Sequence, residues 1–220
     1  MNNPYLFDIQ PSIKSISYDQ DEILSSISRL YLSGATFDLD VTYGKGAFYR
    51  DLPAARYKFD LIPGGPEIIP GDARHIPLRD ACVSSAMFDP PFLGRKGNAG
   101  LMIGKYGYAG SMQDVWDLYR QGIKELSRVT VSGAVIVVKC QDCIYGRSQY
   151  MTHLEVGNYA IENGLYPIDI FILLARSRPR AWNHKNQNHA RKFHSYFWIF
   201  KKANRNIPYS MARDSRARGD

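Results

Sequence analysis

At 220 residues, with 45% hydrophobic and 22% charged side chains, the chain has material for one compact domain and too little for two comfortable ones. That balance excludes a disordered chain and a coiled coil, and the longest apolar runs (residues 134–138 and 168–175) are strand-length rather than membrane-length. The net charge of +7 is concentrated: residues 176–192 carry six Lys/Arg and no Asp or Glu, which favours a polyanionic partner, nucleic acid first, over a mere solubility surface.

Residues 1–12 lack the charged and apolar regions of a secretory signal, and three cysteines cannot build a disulfide framework, so a reducing cytoplasm is expected. Residues 19–32 show helical spacing (Ile23, Ile27, Leu30, Tyr31) with Gly34 as a stop. Short β-prone pieces follow at 36–41, 58–62 and 82–88, closed in turn by Thr42-Tyr-Gly-Lys-Gly46, Pro63-Gly-Gly-Pro66 and Asp89-Pro-Pro91. Ser111 with Asp114 reads as a capping box for a helix carrying Val115, Leu118, Tyr119, Ile123 and Leu126. The run 134–139 predicts a central buried strand, residues 149–163 a helix ended by Asn163-Gly164, and 168–174 and 195–201 two further strands joined without a helix. Strands alternating with helices predict an α/β fold: a mostly parallel sheet, helices on both faces, and an antiparallel final pair. Residues 1–202 are expected to form one domain, with 1–34 a helical lead-in and 203–220 a basic, mobile tail.

Two motifs carry chemistry. In Asp40-Val-Thr-Tyr-Gly44-Lys-Gly46 an acid ends a strand and two glycines follow, at the sheet end where open α/β folds bind ligands. Neither the third glycine of GxGxxG nor the Lys-Ser/Thr of a Walker loop is present, and an ordinary tight turn remains an equal reading. Asp89-Pro90-Pro91-Phe92 is more specific. Its prolines stiffen a turn that presents a carboxylate, a free carbonyl and an aromatic ring, the groups needed to hold a planar exocyclic amine.

The order strand–DxTxGxG, strand–Asp60, Gly71-Asp72-Ala73-Arg74, DPPF resembles the class I S-adenosylmethionine-dependent methyltransferases, above all the amino-methyltransferases of adenine N6 and cytosine N4 with their [DNS]PP[YFW] signature. The resemblance covers residues 36–201 and implies a Rossmann-like, mostly parallel seven-stranded sheet with an antiparallel C-terminal hairpin. It implies S-adenosyl-L-methionine as cofactor, with Asp40, Thr42, Gly44 and Gly46 at its methionine part. Asp60 would lie at its ribose, and Asp72 with Ala73 at its adenine. Asp89, Pro90, Pro91 and Phe92 would act on the target amine, adenine N6 in DNA being the first choice.

There is no room for a separate target-recognition domain, so specificity falls to the loops 93–110 and 176–192, or to a homodimer or specificity partner. Arg176, Arg178, Arg180, Lys185, Arg191 and Lys192 are expected on the nucleic-acid backbone, and Trp182 stacked on a base or anchoring its loop. Cys140-Gln-Asp-Cys143 lacks a second ligand pair and is not expected to hold a metal; Lys139 and Asp142 border the target pocket instead. RNA adenine, protein lysine or glutamine, and a non-catalytic nucleic-acid-binding scaffold are the competing readings.

Overall fold

Asp19 opens the first helix by accepting a hydrogen bond from the Asp21 N–H, with Asp21 and Glu22 in the first turn where the helix dipole favours acids. In the computed structural model, which describes residues 12–93, 110–177 and 188–203, this helix is α1 (Gln20–Tyr31) and follows a two-residue strand, β1 (Ile16–Ser17). Four strands come next: β2 (Leu39–Asp40), β3 (Tyr57–Asp60), β4 (Ile69–Pro70) and β5 (Val83–Phe88). The expected capping box forms at Ser111 and Asp114 and starts α2 (Met112–Val129), which runs directly into β6 (Thr130–Cys140). Then come β7 (Cys143–Tyr145), β8 (Ser148–Tyr150), α3 (Thr152–Glu162), β9 (Leu165–Leu174) and β10 (His194–Lys202).

The main sheet has the order β1-β9-β10-β6-β5-β2-β3-β4. Its pairs from β4 to β6 are parallel, β10 is antiparallel to both β6 and β9, and β1 is parallel to β9. The antiparallel C-terminal hairpin is therefore present. The sheet has eight strands, not seven, because part of the lead-in expected to be helical pairs as β1 with Ile172 and Leu173. An otherwise open edge of β9 supplies the partners, and Ser15 O accepts from the Ile172 N–H. At the opposite edge β4 is two residues long and ends in Pro70, which limits further pairing.

Alternate residues of β6 serve opposite faces. Val135 and Val137 pack with Ile23, Leu24 and Ile27 of α1, while Ile136 and Val138 pack with Val115, Ile123 and Leu126 of α2 and with Val156 and Ala160 of α3. Helices thus cover both faces, but strict alternation fails. Among the described residues the connections 41–56, 61–68 and 71–82 carry no helix. The first of these covers the α1 face with turns instead, inserting Phe48 and Ala55 into the core. The helix expected from residue 149 begins later, because Gln149 and Tyr150 pair with Ile144 and Cys143 across a turn whose Gly146 and Arg147 both have positive φ. No helix among the described residues is long and apolar enough to cross a membrane.

The contact that ties this core to the sheet end is α2 on β5. A Cβ built on Gly122 would lie 2.6 Å from the Phe88 Cζ, and that ring is fully buried edge-on to Tyr119. Gly122→Val should therefore destabilise the protein by about 1–3 kcal/mol through overpacking, read as a lower urea midpoint at constant m.

Candidate active site

Because β2 to β6 and β9 all point the same way, their carboxyl ends gather at one end of the sheet. There the structure brings together Asp40, Asp60, Asp72 and Asp89, each at or just past a strand end. Asp40 is fully buried. Its Oδ1 accepts from the Thr42 N–H at 2.8 Å, and its Oδ2 from the Tyr49 hydroxyl at 2.8 Å. Burial raises its carboxyl to about 7, against the hydrogen bonds from Thr42 and Tyr49 and with the charge of Asp89 adding to the rise.

The turn after Asp40 needs its glycines. Gly44 and Gly46 sit at φ +58° and +72°, in the left-handed region, and the Tyr43 ring lies so close to Gly46 that any Cβ there would meet its hydroxyl at 2.8 Å. Tyr43 also stacks on Tyr49 at 5.1 Å. Asp60 fixes this turn from the next strand: Oδ2 accepts from Gly44 N–H at 2.7 Å and Oδ1 from Ile62 N–H at 2.8 Å. Each oxygen retains a lone pair for a further donor. Asp72 is held by Arg74, with Nη2 at 2.6 Å from Oδ2, and this pairing lowers its carboxyl below the usual range. Ala73 is buried in the core rather than displayed.

Asp89 is tied to the glycine turn, since its N–H donates to the Thr42 Oγ1 at 2.7 Å. Its Oδ2 lies 3.5 Å from Lys139 Nζ, and its Oδ1 is buried with no hydrogen-bond partner among the described residues. Burial raises this carboxyl while Lys139 pulls it down, and burial wins. Pro90 is buried, Pro91 and Phe92 are half-buried, and the Phe92 ring faces Lys139 Nζ at 5.7 Å. Three participants went unread in the sequence: Tyr49 on Asp40, Phe48 facing Lys139 Nζ at 4.8 Å, and Gln20, whose Oε1 accepts from Lys139 Nζ at 2.9 Å. An aromatic pair directly after the glycine turn was the available signal for the first two. Nothing local marks Gln20.

No family model matches the chain, and no curated protein matches its sequence. Solved structures do. The chain is similar to the Burkholderia thailandensis 1,6-didemethyltoxoflavin-N1-methyltransferase with bound S-adenosylhomocysteine: 13% identity, 85% of this chain and 80% of that one, TM-score 0.52. It is also similar to the [4+2]-cyclase SpnF, with 11% identity, 83% and 81% coverage and a TM-score of 0.51. A third is the PvuII cytosine-N4-specific DNA methyltransferase, with 20% identity, 63% of this chain and a TM-score of 0.44, where the chain spans 49% of that enzyme's length. The fold is that of the class I methyltransferases. A cyclase shares it, so the chemistry has to be argued from the site.

On this methyltransferase fold β9 ends at the same end of the sheet as Asp89, and Arg176 follows it there. Arg176 lies over the Tyr18 ring at 4.9 Å, beside a cleft of about 410 Å³ lined also by Gln20, Arg50 and Ser195. Arg191 lies over Phe193 and Lys192 is half-buried. Arg178, Arg180, Trp182 and Lys185 lie outside the described residues, as do most of the loop 93–110 and the tail. Asp142 is buried and binds His153 Nδ1 at 2.8 Å. Cys140 and Cys143 are buried free thiols whose ionisation burial suppresses, Cys143 being raised to about 11.

The raised carboxyl of Asp40 has a stability consequence. Its folded value of about 7 exceeds the ordinary 3.8, so the native state holds a proton the unfolded chain has released. That contribution is complete below about pH 3.8 and is lost as pH rises through 7. Asp40→Asn stays neutral: its oxygen can still accept from the Thr42 N–H, while its NH2 donates to the Tyr49 hydroxyl, reversing that bond. Its urea stability should match wild type near pH 4 and exceed it near pH 8, by up to about 4 kcal/mol.

Proposed function

We propose that the protein transfers a methyl group from S-adenosyl-L-methionine to an exocyclic amino nitrogen of a nucleobase, adenine N6 in DNA being the first reading. The observation that carries it is the Asp89 Oδ1: a buried carboxylate oxygen without a partner among the described residues, in a stiff Pro-Pro turn tied through Thr42 to the glycine turn. The residues fit the cofactor. Gly44 offers an open stretch of backbone, with only Asp60 Oδ2 and the Thr42 carbonyl near where its Cβ would be, whereas Gly46 is covered by the Tyr43 ring; Asp60 keeps acceptor capacity for ribose hydroxyls, and Asp72, held by Arg74, would accept from an adenine amine. Bound there, the cofactor supplies an electrophilic methyl on its sulfonium.

The chain's own residues do the rest. A nucleobase amine has its lone pair delocalised into the ring and is a weak nucleophile. Accepting its two N–H groups at Asp89 Oδ1 and the Pro90 carbonyl favours pyramidal geometry and localises that lone pair. Phe92 stacks on the ring and sets its plane. As the new N–C bond forms, the nitrogen sheds one proton along the hydrogen bond towards the carboxylate. The gain is positional and electrostatic. The target base has to leave a duplex to reach this end of the sheet, and the basic loop with Arg176 engages the phosphates on either side.

Titration with S-adenosylhomocysteine should show one site, lost in Gly44→Val, whose left-handed backbone a β-branched residue cannot adopt. Incubation with labelled S-adenosylmethionine and unmethylated DNA, followed by digestion to nucleosides and mass identification, should yield N6-methyl-2′-deoxyadenosine. Asp89→Ala should abolish the product while leaving cofactor affinity near wild type. Product on cytosine, or on RNA alone, would move the reading to that substrate. Absence of cofactor binding would remove it. Replacing Arg178, Arg180 and Lys185 by Ala should lower the salt slope of DNA binding by about two to three units, without touching cofactor affinity.

A further inference from the structure

We propose that Lys139 is a positioning residue for Asp89: its ammonium, anchored by Gln20 and enclosed by aromatic rings, supplies the counter-charge on the Oδ2 side and leaves Oδ1 as the free acceptor. Its catalytic meaning rests on the function proposed above, whereas the pairing itself can be measured without it.

The strands bring the two side chains together. In the parallel β5–β6 pair Phe88 lies opposite Val138, so the next residue of each strand, Asp89 and Lys139, leaves the sheet side by side. Lys139 is nearly buried, at 8% exposure, in a place where a solubility charge would be pointless and an unpaired ammonium costly. What surrounds it is specific. Gln20 Oε1 accepts at 2.9 Å, Asp89 Oδ2 lies at 3.5 Å, and the rings of Phe48, Phe197 and Phe92 face the ammonium at 4.8, 5.2 and 5.7 Å. These faces and a neutral amide satisfy the cation without neutralising it. Its charge therefore remains available to the one carboxylate beside it.

That carboxylate needs it. From β2, Asp40 lies close enough for the Asp89 charge to raise it. From α2, Tyr119 faces the same region as a neutral phenol, and from β6 the Cys140 thiol does too, both raised by burial and by Asp89. Neither offers Asp89 a positive charge. Among the described residues only Lys139 pulls the Asp89 carboxyl down. Without it, burial raises the carboxyl further, towards the protonated acid, which is a poorer acceptor for an amine N–H. The lysine also limits how the carboxylate can turn, since rotation that freed Oδ2 would separate the two charges.

The test uses the full chain labelled with 13C at aspartate Cγ, the Asp89 signal being assigned by its loss in Asp89→Asn. Lys139→Met, which fills similar volume without charge, should raise the Asp89 titration midpoint by about one pH unit or more, and Lys139→Arg should keep it near wild type. Should the methionine variant fail to fold, Lys139→Gln carries the same expectation. On unmethylated plasmid DNA with S-adenosylmethionine, the neutral variants should lose kcat about 100-fold. The acid limb of kcat/KM should move to higher pH by the same amount as the carbon signal. Affinity for S-adenosylhomocysteine should stay within about threefold, and Lys139→Arg should recover part of kcat. An Asp89 midpoint that does not move in the neutral variants overturns the proposal, as does a fall in kcat with an unchanged acid limb. If the midpoint moves as expected but wild-type protein methylates no DNA, the pairing stands and the nucleobase reading falls.

Discussion

Four carboxylates converge at one end of a parallel sheet, and the arrangement around them is the answer to that electrostatic cost. Each acid is handled differently. Asp40 is withdrawn from water, hydrogen-bonded by Thr42 and Tyr49, and pushed towards neutrality. Asp60 spends its charge on backbone N–H groups of Gly44 and Ile62, and Asp72 on the guanidinium of Arg74. Asp89 faces a lysine at 3.5 Å and keeps one oxygen unpartnered among the described residues. An unpaired buried acceptor is expensive, and the fold keeps this one where a substrate donor would satisfy it.

Helix α2 holds much of this in register. Its Gly122 lets Phe88 pack against the helix, which sets the residue before Asp89. Its Tyr119 donates to the Lys139 carbonyl at 3.0 Å, which sets the strand end that carries the lysine. Further along, Glu125 accepts from the Ile76 N–H and Arg128 donates to the carbonyls of Ile76 and Leu78, clamping the segment that follows Asp72. One amphipathic helix thus braces three of the loops around the site. Its stripe and its capping box were both plain in the sequence, but its role in positioning was not, because that depends on which strands it crosses.

What could be read in advance follows from the range of the forces involved. Local signals were legible: the helical spacing over residues 19–32, Ser111 as a cap, the buried run of β6, the turns after β2, β3 and β5, and the antiparallel last pair. Contacts made across the fold were not. β1 forms because β9 has an open edge, a fact invisible in the sequence around Ile16. Residues 41–56 have the length of a crossover but no helix, since Phe48 and Ala55 fill the core from turns. Gln149 and Tyr150 carry helical spacing yet join a hairpin, because Gly146-Arg147 makes a tighter turn than periodicity reveals. At the site the motif residues gather as their order implied, whereas Gln20, Phe48 and Tyr49 act through partners up to 119 positions away.

The enclosed lysine also bears on which acceptor suits the pocket. A protonated lysine side chain entering beside Asp89 would meet the Lys139 ammonium, at a distance where like charges in a partly buried site repel by several kcal/mol. It would also have to lose its own proton before it could attack. A nucleobase amine is neutral and planar, and needs only acceptors for its hydrogens and a face to stack on. Asp89 Oδ1, the Pro90 carbonyl and the half-buried Phe92 are groups of those kinds. A glutamine amide would be neutral too, but it brings no ring for Phe92 and no phosphates for Arg176, just past β9. On the proposed reading, the acid pocket would take a neutral base and Arg176 beside it part of that base's charged backbone.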